Sequence, residues 1–203
     1  MDKQIKFLND IIKPWDELND LLSKPYAYEL GLNDVTRMAG NLAIAIKHHR
    51  ELTKIERIEI NKESPSNKIM SDIADMIKHH GLADKNRENE FSISSIFECF
   101  NNKFKFLRTL ISVKYNGGVE FDFALEAINA MNVWAIRNGW VLPRKLEIKL
   151  CEDGFKDKAI LRYESSKSIY MQSTQMRFFK RNAAGVLEPY DPENLAFEFQ
   201  NIT

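Results

Sequence analysis

The chain has 203 residues, of which 44% are hydrophobic, including 13 Phe, 3 Trp and 6 Tyr. So many large apolar side chains exclude an intrinsically disordered chain and predict a core that needs neither disulfides nor a structural metal. Lys plus Arg and Asp plus Glu both count 29, so the formal net charge is +0. No global field therefore draws the protein to a polyanion or an acidic membrane.

The two cysteines, Cys99 and Cys151, lie outside any Cys-x-x-Cys or Cys/His spacing, which is typical of reduced thiols in a cytosol. The N-terminus has no apolar signal region, and no apolar run has the length of a membrane span. We therefore expect a soluble, cytoplasmic protein without a membrane partner, a bound metal or a cofactor.

The first helical segment has apolar residues every three or four positions from Ile5 to Leu22, which is the period of a helix with one buried face. Pro14 divides this segment, because proline fits the first turn of a helix but not its interior. The pattern predicts a short helix followed by a second one that begins near Lys13.

A longer helix is predicted from an N-cap at Asn33 or Asp34 to about Ile58. The run Ser64-Pro65-Ser66-Asn67 then caps a further helix. Gly81 is suited to end that helix, since glycine accepts the positive φ of the position after the C-cap.

From Phe91 the apolar pattern changes to the alternation typical of strands. Asn101-Asn102 separates two such runs and predicts a β-hairpin, which Asn116-Gly117-Gly118 ends. One more helix is predicted from Phe123 to Asn138-Gly139. Further strands are expected in the C-terminal region at 145–150, 159–163, 169–180 and 195–199.

This order of elements predicts an α+β fold, in which an N-terminal helical half of three to four helices packs on a mainly antiparallel C-terminal sheet with one further helix. No linker rich in Pro, Gly or Ser separates the halves. We therefore predict a single domain over residues 1–203, with a helical subdomain at 1–83 and a strand-rich subdomain at 90–203.

All four histidines occur in two runs, Lys47-His48-His49 and Lys78-His79-His80. If the two helices pack side by side, one imidazole of each run and the carboxylate of Asp72 or Asp75 could form a zinc, iron or manganese site. Neighbouring helical residues point about 100° apart, so each run offers at most one ligand to a shared centre. We favour a structural role, since cationic side chains in the last helical turn interact well with its free carbonyls.

The candidate binding residues are these histidines and the charged residues of the loop after the second run. Exposed loops beside a rigid helix end frequently carry function. The candidates are His48, His49, His79, His80, Asp84, Lys85 and Arg87.

A helical half with a histidine near a helix end invites comparison with the HEPN ribonucleases, whose motif is an arginine followed by four to six residues and a histidine. The spacing does not match, because Arg37 is too far from His48 and no arginine lies in that window before His79 or His80. A HEPN-like topology without the motif stays an alternative, and a fold analogy alone carries no activity.

Basic and aromatic residues alternate in the C-terminal half, as they do in proteins that bind single-stranded nucleic acid on a sheet. An edge strand that buries one face and exposes the other shows the same alternation, and the neutral charge favours that interpretation. The residues concerned are Lys85, Arg87, Lys103, Phe104, Lys105, Phe106, Arg108, Arg177, Phe178, Phe179, Lys180 and Arg181.

The sequence contains no Walker A loop, dinucleotide-binding glycine motif, nucleophile elbow or His-Glu-x-x-His helix. Our leading hypothesis is therefore a non-enzymatic binding or regulatory protein of bacterial or phage type. It would bind a protein partner or small ligand through a surface between the helical half and the sheet. The alternatives are a metal-dependent or histidine-using enzyme and a binder of single-stranded nucleic acid.

Overall fold

The computed structural model describes residues 2–26, 31–79, 84–163 and 175–201, which form an α+β fold as the sequence predicted. The chain folds into two compact units. The first, here called the helical unit, comprises Met1–Asn19, Val35–Ser92 and Ile111–Ile148. The second, here called the sheet unit, comprises Asp20–Asp34, Ile93–Leu110 and Lys149–Thr203. The single domain proposed from the sequence stays a prediction.

The first helical segment runs past Pro14 with a change of helix type. Helix α1 (Lys3–Phe7) continues into a π-helical turn (Leu8–Ile12), and α2 (Lys13–Leu22) follows. The second start predicted near Lys13 is confirmed. A proline inside a helix lacks an N–H and crowds the carbonyl four residues earlier, and the wider π turn accommodates both effects.

Helix α3 spans Gly31–Thr53, and helix α4 spans Arg57–Glu63. The predicted N-cap at Asn33 or Asp34 is wrong, because the helix already begins at Gly31 and Asp34 lies in its first turn. The predicted continuation to Ile58 is also wrong. Lys54 has a φ of 58°, and this left-handed residue interrupts the helical backbone before α4.

Helix α5 spans Pro65–His79 and begins as the sequence predicted. The side-chain oxygen of Ser64 accepts a hydrogen bond from the backbone N–H of Asn67 at 3.1 Å, and Pro65 takes the first helical position. The end predicted at Gly81 lies outside the described residues.

Helix α6 spans Phe123–Arg137, as predicted. The Asp122 carboxylate caps it by accepting from the backbone N–H of Ala124 at 3.0 Å, and Gly139 follows it with a φ of 64°. Helix α6 packs against α5. The side-chain amide of Asn67 in α5 donates a hydrogen bond to the backbone carbonyl of Ala130 in α6 at 3.3 Å.

Strands β1 (Asn89–Phe100) and β2 (Lys103–Tyr115) form the predicted hairpin. Asn101 and Asn102 form its loop with φ values of 49° and 57°, as a type I′ turn requires. Strand β3 (Glu120–Asp122) pairs antiparallel with the end of β2. It was not predicted, because three residues are too few to show an alternation.

The C-terminal region adds strands of both directions. Strand β5 (Gln175–Arg181) pairs parallel with β1, and β6 (Leu187–Pro189) pairs antiparallel with β5. The resulting order is β3-β2-β1-β5-β6, in a mixed sheet. Strands β4 (Ala159–Tyr163) and β7 (Phe197–Asn201) form a separate parallel pair. Parallel pairing depends on crossover connections, which the alternation within a strand does not show.

Residues 145–150, predicted as a strand, form none. Leu146 is buried at 6% exposure, which explains the apolar signal. The carbonyl of Glu147 accepts a hydrogen bond from the Asn19 side chain at 2.9 Å, and not from the backbone of a neighbouring strand. Among the helices of the described ranges, none is long and apolar enough to cross a membrane.

Candidate functional site

The helical unit holds a dense group of charges around two carboxylates of α5. Asp72 and Asp75 lie three positions apart, on one face of the helix, and are 1% and 7% exposed. Buried carboxylates need cationic or hydrogen-bonding partners. Four cations supply them, and the six residues, here called the charged cluster, are Lys47, Arg57, Lys68, Asp72, Asp75 and Arg87.

Two arginines converge on these carboxylates. Arg87, from a short 3₁₀ turn (Lys85–Arg87), donates from Nε to Asp72 Oδ1 at 2.8 Å and from Nη2 to Asp75 Oδ2 at 2.9 Å. Arg57, from α4, donates from Nη2 to the same Asp75 Oδ2 at 2.8 Å. One carboxylate oxygen therefore holds two guanidinium groups side by side.

Two lysines complete the charged cluster. Lys47, from α3, bonds to Oδ1 of Asp75 and is itself largely buried. Lys68 lies one turn before Asp72 on α5 and donates to its Oδ2 at 3.1 Å. The charged cluster thus connects α3, α4, α5 and the 3₁₀ turn through charge-assisted hydrogen bonds.

The charges of Asp75 and Arg87 are fixed at neutral pH. Burial would raise the pKa of Asp75, but hydrogen bonds from Lys47 and Arg87 and the charge of Arg57 outweigh it and lower the pKa to about 2. Burial would lower the pKa of Arg87, but Asp72 and Asp75 raise it. Asp75 therefore stays ionised and Arg87 stays protonated.

A cleft lies beside the charged cluster, where α5 meets the ends of β1 and β2. Its volume is about 370 Å³. Tyr115 links the two features, because it lines the cleft while burial and the charge of Asp72 raise the pKa of its hydroxyl. The lining residues, here called the cleft residues, are Met76, Glu88, Asn89, Glu90, Lys114, Tyr115 and Asn116.

Two of the cleft residues carry charges that none of the described residues neutralises. Glu88 is engaged by Lys85 at 2.5 Å and by Asn116 at 3.3 Å. The exposed side chains of Glu90 and Lys114, by contrast, form no hydrogen bond or ion pair with the described residues. A carboxylate and an ammonium group are therefore available to a ligand that enters the cleft.

His49, one of the predicted binding residues, is a core residue. It is 3% exposed, and its ring lies 5.0 Å from Phe7, 5.1 Å from Trp134 and 5.4 Å from Trp140. Burial lowers the pKa of His49 to about 4, so the imidazole is neutral at neutral pH. It is enclosed by aromatic rings and is not positioned to bind a ligand from solvent.

The other histidines lie in different environments. The ring of His48 is partly exposed and hydrogen-bonds to Glu51 at 2.7 Å. His79 is exposed in the last turn of α5, and His80 lies outside the described residues. Within the ranges that the structure describes, no three His, Cys, Asp or Glu side chains are grouped to hold a metal ion.

The predicted loop residues have separate roles. Asp84 caps the 3₁₀ turn by accepting from the backbone N–H of Asn86 at 3.1 Å, and Lys85 pairs with Glu88. Arg87 alone enters the charged cluster. The structure therefore places one of the predicted loop residues in the charged cluster.

Sequence reasoning missed Lys47 and Arg57 as partners of this site. Asp72 and Asp75 gave a usable signal, since two acidic residues on the buried face of an amphipathic helix require partners of opposite charge. Which cations supply that charge depends on how the helices pack.

The Lys/Phe hairpin of the sheet unit buries its aromatic side. Phe104 and Phe106 are 3% and 5% exposed and pack with Phe97 and the partly buried Phe178 in one apolar cluster. Strand β2 lies between β3 and β1 in the sheet order, so the alternation marks a hairpin that buries one face and not an edge strand, and Phe104 and Phe106 are too buried to stack on bases. The nucleic-acid hypothesis thereby loses Phe104 and Phe106 as stacking residues, while Phe178 and Phe179 are only partly buried.

Comparisons of the chain with protein-family models, curated proteins and solved structures find no match. The assignment of function therefore rests on the chemistry of the charged cluster and the cleft residues.

Proposed function

We propose that this protein is a non-enzymatic binding protein and that the cleft between α5 and the ends of β1 and β2 is its binding site. The pKa of Asp75, lowered to about 2, and that of His49, which burial lowers to about 4, both lie away from neutrality and suit these two groups poorly to general acid–base catalysis. The observation that carries the proposal is the cleft itself, where the exposed Glu90 and Lys114 pair with none of the described residues.

The ligand should carry charges that complement the cleft. Glu90 offers a carboxylate and Lys114 an ammonium group, while Tyr115 and Asn116 add polar and planar surface. We therefore propose a small zwitterionic ligand or a segment of a protein partner with neighbouring opposite charges. We propose a cytoplasmic location, which the spacing of the two cysteines favours, together with a regulatory role of bacterial or phage type.

Protein-observed NMR with a library of zwitterionic small molecules and charged peptides tests this proposal. Ligands should shift the backbone signals of Glu90, Lys114 and Asn116. The substitutions Glu90→Ala and Lys114→Ala should each weaken binding by about tenfold, because each removes one charge-assisted contact.

Lys62→Ala is the matched control, since Lys62 is an exposed lysine of the same unit that does not line the cleft. Its binding should equal that of the parent. Ligands that shift only signals outside the cleft residues, or catalytic turnover of a bound ligand, would contradict the proposal.

A further inference from the structure

The charged cluster holds more positive charge than its carboxylates neutralise. Four cations face the two carboxylates of Asp72 and Asp75, while the whole chain has 29 basic and 29 acidic residues. The excess is therefore local. Two further negative charges are required for the charged cluster to reach neutrality.

Another arginine of the helical unit shows the opposite balance. Arg137, at the end of α6, pairs with both Glu59 and Glu63 of α4. There two carboxylates face one cation, although Arg137 is about as exposed as Arg57. An excess of cations is therefore not the general pattern of arginine pairing in this protein.

The exposed side chains of the charged cluster are those of Lys68, at 55% exposure, and of its two arginines. The side chains of Arg57 and Arg87 are 33% and 29% exposed, and their Nη2 atoms meet at Asp75 Oδ2. Each guanidinium has five N–H donors, so both keep donors that Asp75 does not use. The buried carboxylates fix the orientation of the two groups before any ligand arrives, which reduces the entropy cost of binding.

We propose that Arg57 and Arg87, assisted by Lys68, bind a phosphate group of a small ligand on this exposed side. Fixed guanidinium groups match phosphate oxygens in geometry, and a doubly charged phosphate matches the local excess of charge. The proposed site is only a few residues wide, whereas binding of a nucleic-acid strand requires contacts to a row of phosphates. The inference is independent of the cleft as a binding site.

Isothermal titration with pyrophosphate and with inorganic phosphate, at constant ionic strength, tests the proposal. The parent protein should bind pyrophosphate saturably at one site and inorganic phosphate more weakly. Arg57→Gln should lower the affinity for pyrophosphate at least about tenfold, because it removes a charged guanidinium group and its paired N–H donors. Arg57→Lys should retain part of the affinity, since it keeps the charge but loses the planar geometry.

Arg57 is the informative position because Asp75 keeps Lys47 and Arg87 as partners in its absence. Circular dichroism verifies that each variant is folded. The matched control Arg137→Gln should bind pyrophosphate as the parent does, and so should Lys114→Ala in the cleft, which separates this test from that of the proposed function.

Three results would overturn the proposal. Titration of the parent protein without saturable heat would show that diffuse counterions, and not a bound phosphate, balance the excess charge. A folded Arg57→Gln variant with unchanged affinity would place the phosphate elsewhere. Tighter binding of a short single-stranded oligonucleotide than of pyrophosphate would assign the surface to nucleic acid instead.

Discussion

The two compact units differ in the charge that accompanies their apolar cores. The helical unit encloses Asp72 and Asp75 at 1% and 7% exposure beside a core that includes Trp15 and Trp134, whereas the larger core cluster of the sheet unit is built around Phe97, Phe104 and Phe106. Aromatic burial stabilises a fold without directional demands, but buried charges persist only with fixed partners. The comparison teaches that the helical unit holds its charged groups in defined positions, which is what a polar binding site needs.

The largest expected effect is on the aromatic core of the sheet unit, at Phe97. It is 1% exposed, and its ring lies 5.6 Å from the rings of both Phe106 and Phe178. Phe97→Ala should lower the free energy of unfolding by about 3–5 kcal/mol, because it removes buried area and leaves a cavity. Urea denaturation measures this. Phe100→Ala, at a 58% exposed position, is the control and should cost less than about 1 kcal/mol.

The ionic side is tested by Asp72→Asn, which keeps the shape of the side chain but removes its charge. Arg87 and Lys68 then lose a buried anion, and the expected cost is roughly 3 kcal/mol in urea denaturation. The control is Asp153→Asn, where an exposed carboxylate pairs with Lys156 at 3.5 Å and should contribute less than about 1 kcal/mol. Equal costs for the two variants would mean that the charged cluster behaves as an ordinary surface network.

The helical unit should also respond to mild acid through His49. Its pKa is 6.5 in the unfolded chain and about 4 in the fold, where burial disfavours the charged form. The unfolded state therefore binds a proton first, so this contribution to stability is complete above about pH 6.5 and is lost as the pH falls toward about 4. Between about pH 7 and about pH 5 the loss should be about 2 kcal/mol.

His49→Phe removes the titrating group while keeping an aromatic ring among those of Phe7, Trp134 and Trp140. Its denaturation midpoints at the two pH values should differ less than those of the parent. His48→Gln, at the exposed neighbouring position, should retain the parental difference. If His49→Phe keeps the full pH dependence, another group carries it. Asp75 acts in a separate window, since its lowered pKa removes stability only below about pH 4.

Local features of this fold were predictable from the sequence because each depends on a few adjacent residues. Ser64 and Pro65 mark the start of α5, and Asn101-Asn102 marks the hairpin, since side-chain caps and left-handed turn residues act over short distances. The strand predicted at residues 145–150 does not form. Burial of Leu146 produces the same apolar signal as a strand, although the backbone pairs with no neighbouring strand.

The charged cluster was only partly predictable. The sequence identifies Arg87 as a loop cation and places Asp72 and Asp75 on the helix that forms α5. The convergence of Lys47 and Arg57 on Asp75 depends on how three helices pack, and the periodicity of each helix identifies its buried face but not its neighbour.

The smallest expected effect concerns the hairpin turn of the sheet unit. It distinguishes the contribution of turn geometry to the free energy of unfolding from that of core packing. Asn102 has a φ of 57°, a conformation that glycine adopts freely, asparagine tolerates and alanine adopts only with strain. Asn102→Ala should therefore lower the free energy of unfolding by about 1 kcal/mol. Asn102→Gly should differ from the parent by only a few tenths of a kcal/mol, because the strain it relieves is offset by the greater freedom of glycine in the unfolded chain. Both variants should bind pyrophosphate as the parent does, since the charged cluster belongs to the helical unit. A loss from Asn102→Ala as large as that from Phe97→Ala would show that the hairpin turn, rather than the aromatic cluster, controls the stability of the sheet unit.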